Sequence, residues 1–172
     1  HNALLNMDGE KMSKSLGNIL YIRDLLDEYD GEVLRLALLS AHYRQPLTFT
    51  KDTLNQAEKN LDRLYKSLDK VDSCEVNIKN MVPPREFIDA LSNDLNTSEA
   101  FAVINEISKR IFSSKENEER KFLKAQLLSS CSMLGILKKN PQSWLDDRKA
   151  KGGFDITLIE NLIKDRHEAR IN

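Results

Sequence analysis

Two lysines, Lys11 and Lys14, and two serines, Ser13 and Ser15, fall close together in the stretch "GEKMSKSLGN", residues 9–18. The stretch is too polar for a core and too short for a nucleic-acid-binding tail. Ammonium and hydroxyl groups on one short loop supply charge-assisted donors to phosphate oxygens. Gly9 and Gly17 let the backbone bend at both ends, so such a loop can close over an anion and reopen. The matching chemistry is displacement at a phosphate with pyrophosphate leaving. Charge then builds on the leaving group, and lysines placed there lower the barrier electrostatically. The Gly-x-x-x-x-Gly-Lys spacing of a Walker-type loop is missing.

A loop of this kind needs a scaffold, and the rest of the chain reads as helix. The stretch 22–29 is a short amphipathic set. Asp30 is placed to cap a helix over 31–41, whose Val33, Leu34, Leu36, Ala37 and Leu38 call for burial nearly all round. Residues 42–49 should be extended, because Pro46 interrupts helix and Tyr43, Leu47 and Phe49 suit a docked segment. Thr50 caps a long helix with Leu54, Ala57, Leu61, Leu64, Leu68 and Val71 on one face.

A polar linker, 72–84, ends in two prolines, the second suited to the first position of the next helix. "DLNT" (94–97) breaks the pattern, and Thr97 is read as the cap of a helix with Ala100, Phe101, Ile104, Ile107 and Ile111 inward. The next helix turns Phe122, Leu127, Leu128, Cys131 and Leu134 inward and ends near Gly135. Pro141 marks at most one turn in a loop, "RKAK" (148–151) reads as linker, and Trp144 as a cap on the bundle. Asp155 then caps a last helix containing Ile156, Ile159, Leu162 and Ile163. The fold expected is all-α: an antiparallel helical bundle behind an irregular N-terminal segment, with no run of strands.

Composition narrows the partners. Twenty-six basic against twenty-seven acidic residues give a formal net charge of -1, so an anionic partner must be met by a local cluster. Cys74 and Cys131 lack metal-type spacing and read as reduced structural thiols. No apolar run is long enough to span a bilayer. An opening without Met and a close inside a helical pattern suggest a piece of a longer protein.

The string "KMSKS", flanked by "GE" and "LGN", matches the second signature of class I aminoacyl-tRNA synthetases. Its neighbours narrow the resemblance. "HNALLNMDGEKMSKSLGN", "IRDLLDEYDGEVLRLALLSAHYRQPLTF" and "LNQAEKNLDRLY" resemble cysteinyl-tRNA synthetases, as do "NDLNTSEAF" (93–101) and "LIKDRHEAR" (162–170). The resemblance implies that residues 1–49 are the end of a catalytic domain with the signature loop and stem-contact segment. Residues 50–172 would be a helical tRNA-binding bundle of anticodon-binding type, truncated at its end.

It further implies an ATP-dependent cysteine–tRNA ligase in the intact protein, with cysteine, ATP (with Mg²⁺) and tRNA(Cys) as substrates. Zinc would be held by residues outside this segment, and no metal ligands are expected within it. The enzyme would be a cytoplasmic monomer, and the isolated segment inactive. Lys14 and then Lys11 carry the catalytic role by this resemblance, with Ser13 and Ser15 joining them on ATP. Arg166 and Arg170, one helical turn apart, are candidates for tRNA phosphates, and a solvated face is an equal reading.

Tyr21 stands where that family commonly has a capping Thr, leaving Asp24 to support the helix N-terminus. Ser98 replaces a usual Pro. His42, Tyr43 and Arg44 are expected to pin the stem to the catalytic domain. Two alternatives remain at this stage: a related ATP-dependent ligase joining cysteine to an amino sugar, and a stand-alone helical RNA-binding or scaffold module.

Overall fold

Side-chain caps start several of the helices. Asp30 accepts from the Glu32 amide and Thr50 from the Thr53 amide, each filling a donor that the first helical turn leaves open. The computed structural model describes residues 3, 5–7, 10–12, 19–76 and 81–151. Within them the elements run β1 (Leu5–Met7), β2 (Glu10–Lys11), α1 (Ile22–Glu28), α2 (Gly31–Leu39), β3 (Leu47–Thr48) and α3 (Lys51–Lys70). Then follow α4 (Arg85–Ser92), α5 (Thr97–Ser113), α6 (Asn117–Leu134) and α7 (Pro141–Lys151). The chain divides into two compact units, His1–Lys138 and Lys139–Asn172.

In the first unit α2 packs on α3, α3 on α5, and α5 on both α4 and α6. The expected stripe of α3 is buried throughout, and Tyr65 joins it. Each leucine of the stripe contributes about 1.5–3 kcal/mol by leaving water. The all-α reading therefore holds.

Several local expectations are corrected. Leu38 is exposed, so α2 is buried on one side only. In α6 Leu127, Cys131 and Leu134 are buried as expected, but Leu123 is buried where Phe122 lies exposed, and Leu128 is half-buried. Pro84 is the N-cap of α4 and not its first residue: its ψ of 150° is extended, and its carbonyl accepts from the Phe87 and Ile88 amides. Asn96, not Thr97, caps α5. Its Oδ1 accepts from the Glu99 amide at 3.1 Å and its Nδ2 donates back to Glu99 Oε2 at 3.0 Å. Tyr21 makes no side-chain cap to α1, as the reading of that position expected, and Asp24 is in the first turn.

The N-terminal segment is less irregular than expected. A three-stranded sheet of order β2-β1-β3 forms, with β1 antiparallel to β2 and parallel to β3. The strands are too short for an alternating pattern to announce them.

A polar tie and a glycine stop shape two loops of the first unit. Lys124, nearly buried, donates through Nζ to the carbonyls of Asp72 and Cys74 at 2.8 and 3.0 Å, holding the chain that leaves α3. Gly135 ends α6 at φ 71°, a left-handed stop, and a side chain there would meet the Arg35 guanidinium at 3.2 Å.

The second unit's described part is α7, three turns where one was expected, and it takes in "RKAK". Pro141 stands at its first position, and Asn140 accepts from the Ser143 amide. Trp144 is buried, and Lys139 Nζ lies 5.6 Å from its ring centre. The expected last helix, with its Asp155 cap and Ile156, Ile159, Leu162 and Ile163, lies outside the described residues. No helix among the described residues is long and apolar enough to cross a membrane.

Candidate functional site

The base of the signature loop is a strand ladder. Asn6 pairs with Lys11 and Met7 with Glu10, a register that leaves only Asp8 and Gly9 between the strands. An Asp-Gly pair is a hairpin signal in its own right, and it could have announced the pairing of β1 with β2 from sequence. Lys11, the first lysine of the signature, is thus in β2. Ser13, Lys14 and Ser15 lie outside the described residues, as do Arg166 and Arg170.

β1 is tied on its other side to the 42–49 segment. Leu5 pairs with Leu47 and Asn6 with Thr48, and the Phe49 amide donates to the Asn6 carbonyl at 2.8 Å. The Ala3 amide donates to the Tyr43 carbonyl, also at 2.8 Å. Backbone bonds of this kind are directional, so the ladder's position follows that of residues 43–49.

Residues 42–44 are held in turn by the α4–α5 turn. Tyr43 Oη donates to Asp94 Oδ1 at 2.6 Å. Arg44 brings Nε to 2.9 Å from Asp94 Oδ2 and Nη2 to 3.2 Å from Oδ1, and Nε also donates to Tyr43 Oη at 2.8 Å. His42 Nε2 is 2.8 Å from the Asp94 carbonyl, while its Nδ1 accepts from the Arg44 amide at 3.3 Å. The second bond leaves the proton on Nε2, which therefore donates to the carbonyl.

Asp94 and Leu95 both sit at φ 54°, the left-handed region that non-glycine residues rarely enter. Beside them Thr97 and Ser98 hydroxyls approach the carbonyls of Ala41 and Ser40 at 3.5 and 3.4 Å. His42, Tyr43 and Arg44, expected to pin the stem to the catalytic domain, bond to the bundle's own α4–α5 turn.

Electrostatics follow the geometry. The Tyr43 hydroxyl first, then the Arg44 charge, hold the Asp94 carboxyl below its ordinary value. The Tyr43 hydrogen bond and Asp94 raise that of Arg44. Both side chains are largely open to water, so this is a screened cluster and not a buried one.

Glu32, near the start of α2, is a second carboxylate that sequence reasoning missed. It is almost buried and accepts from Tyr65 Oη at 2.9 Å, the Leu137 amide at 2.9 Å and the Lys138 amide at 2.8 Å. Burial, with the nearby Glu32 charge adding to it, pushes the Cys131 thiol well above its ordinary value, so that thiol is inert. Among the described residues no three His, Cys, Asp or Glu side chains converge as a metal would need. These residues do not fit zinc.

Comparison with known proteins gives two family matches in chain order. Residues 1–59 match the catalytic domain of class I tRNA synthetases of the (C) type, and residues 86–138 match the DALR domain. A protein named cysteine--tRNA ligase from Parvibaculum lavamentivorans is 41% identical over 170 residues, covering 99% of this chain and 36% of that protein. Its namesake from Rickettsia rickettsii is 37% identical over 171 residues, covering 99% of this chain and 35% of its own length. That from Paramagnetospirillum magneticum is 41% identical over 170 residues, with 99% and 37% covered. The chain spans about a third of the length of the curated relatives it matches.

Proposed function

We propose that this chain, which belongs to the cysteinyl-tRNA synthetase family, serves as the phosphate-loop and tRNA-binding part of an ATP-dependent cysteine–tRNA ligase. The observation that carries this is the likeness to cysteine--tRNA ligases along 99% of the chain, with the intact KMSKS string beginning at Lys11 in β2. Neither the amino-sugar ligase nor the stand-alone module finds support.

The division of labour proposed is the one expected from sequence. Residues 1–49 bring the loop to ATP, and residues 50–172 hold tRNA(Cys). Lys14 and Lys11 meet the phosphates of Mg²⁺-bound ATP as the cysteine carboxylate attacks the α-phosphorus. They stabilise the charge that accumulates on departing pyrophosphate, while Ser13 and Ser15 donate to the same oxygens. The adenylate then passes its cysteinyl group to the tRNA 3′ end. Arg166 and Arg170 contact tRNA phosphates and position the nucleic acid without reading bases. The working enzyme is a cytoplasmic monomer, and its zinc is held outside this segment.

Lys14→Ala in the full-length ligase tests the assignment. Loss of one preorganised donor at developing charge costs about 3–4 kcal/mol, so cysteine-dependent ATP–pyrophosphate exchange should fall about 10²- to 10³-fold. Exchange at near the parental rate would remove Lys14 from the mechanism.

A further inference from the structure

Asp94 is 45 residues beyond the 42–49 segment's end and belongs to neither the signature loop nor a helix. Yet a continuous set of bonds joins it to the loop's strand base. Its carboxylate takes the Tyr43 hydroxyl and two Arg44 nitrogens, and its carbonyl takes His42. Tyr43 is the node: its hydroxyl faces Asp94 while its own carbonyl accepts the Ala3 amide. From there β3 aligns β1, and β1 aligns β2, which ends at Lys11.

The left-handed backbone of Asp94 and Leu95 gives a second, independent reason to single out this turn. Strained positions of this kind persist when surrounding bonds over-determine them. Here the bonds come from the segment that carries the strand base.

We propose that Asp94 is a positioning residue through which the α4–α5 turn sets the placement of the signature loop's strand base. The inference rests on the reading of the loop as the ATP-phosphate site. Its consequence is linkage: a nucleic acid that shifts the α4–α5 turn changes the loop's alignment, and ATP held by the loop changes nucleic-acid affinity by the same factor. Asp94 touches no reacting atom, so its loss should lower turnover without changing how cysteine is bound.

Two measurements test this with separable failures. In the 172-residue chain, amide exchange at Ala3 and Phe49 should quicken at least roughly tenfold in Asp94→Ala. It should stay at the parental rate in Asp89→Ala, whose carboxylate pairs with Arg85 on the surface of α4. In the full-length ligase, Asp94→Ala should lower kcat for ATP–pyrophosphate exchange by about threefold to thirtyfold with the KM for cysteine unchanged. Asp94→Asn, which tolerates the left-handed backbone and still accepts from Tyr43, should recover part of that loss.

Parental exchange rates at Ala3 and Phe49 in a folded Asp94→Ala chain would overturn the proposal. So would a variant that is merely less stable, with unchanged kcat. If Asp94→Ala does not fold, Tyr43→Phe removes the same bond from the other side and decides by the same readouts. A parental ligase without pyrophosphate exchange would refute the functional reading alone, because the amide-exchange arm does not depend on it.

Discussion

The two ends of α2 are each fastened by a carboxylate and a tyrosine, in opposite surroundings. At the first turn Glu32 is almost buried and takes Tyr65 with two backbone amides of the 137–138 loop. Just past the last turn, Asp94 takes Tyr43 with the guanidinium of Arg44, and its side chain is 46% exposed. The buried end uses uncharged donors aimed from fixed backbone, which hold whether or not the solvent changes. The open end uses a full countercharge, which water and salt weaken. The same side-chain chemistry thus makes a permanent seam at one end and a releasable one at the other.

Breaking the buried end should produce the larger effect. Glu32→Ala leaves two backbone amides and a tyrosine hydroxyl without their acceptor inside the protein. At about 1–3 kcal/mol per stranded donor, a total loss of about 3–9 kcal/mol is expected by urea denaturation. Tyr65→Phe removes one donor and leaves Glu32 its two amides, so about 1 kcal/mol is expected. Similar losses for the two variants would mean that Glu32 does not organise this seam.

What the sequence made legible divides along the same line. Caps such as Asp30 and Thr50 are local: a short acceptor directly before an apolar period has one use. The stripe of α3 was equally plain because its apolar residues keep one phase for five turns. In α6, Phe122 and Leu123 offer two adjacent phases, and only packing against α5 selects Leu123. At the α5 start, Asn96 and Thr97 are both good caps, and the left-handed turn before them decides for Asn96.

Neither carboxylate fastening could be read from spacing. Glu32 looks like an ordinary first-turn acid, and its amide partners lie more than a hundred residues on. Asp94 looks like a turn former. That "SAHYR" and "NDLNT" both resembled one family was the sole hint that they matter, and it did not say that they meet. The phosphate loop was the reverse case, legible by residue type, while its strand base was hidden in elements of two and three residues.

Salt should separate the two ends next. Asp94→Asn keeps an acceptor for Tyr43 and discards the charge facing Arg44. An exposed pair of this kind is screened within about 8–10 Å at ordinary ionic strength. The amide-exchange difference between parent and Asp94→Asn should therefore narrow as sodium chloride is raised, while the destabilisation by Glu32→Ala stays constant. A Glu32→Ala effect that fades with salt would erase the distinction drawn between the ends.

The smallest expected effect is a pH dependence confined to the open end. Asp94 is held below its ordinary 3.8, first by the Tyr43 hydroxyl and then by the Arg44 charge. A carboxyl whose value is lower folded than unfolded binds its proton more readily in the unfolded chain. Its stabilising contribution is thus present above the unfolded value and disappears as pH falls through the folded one. Between pH 5 and 7 the contribution should be flat, and its loss should begin only in acid below about 4. Asn at position 94 cannot titrate, so the difference in stability between parent and Asp94→Asn should shrink through that acid window. Urea midpoints for both chains across it provide the test, with the shared titrations of all other groups cancelling in the difference. A gap that stays constant to the lowest pH at which both chains fold would mean that the Asp94 charge contributes nothing, and that shape alone holds residues 42–44 to the α4–α5 turn.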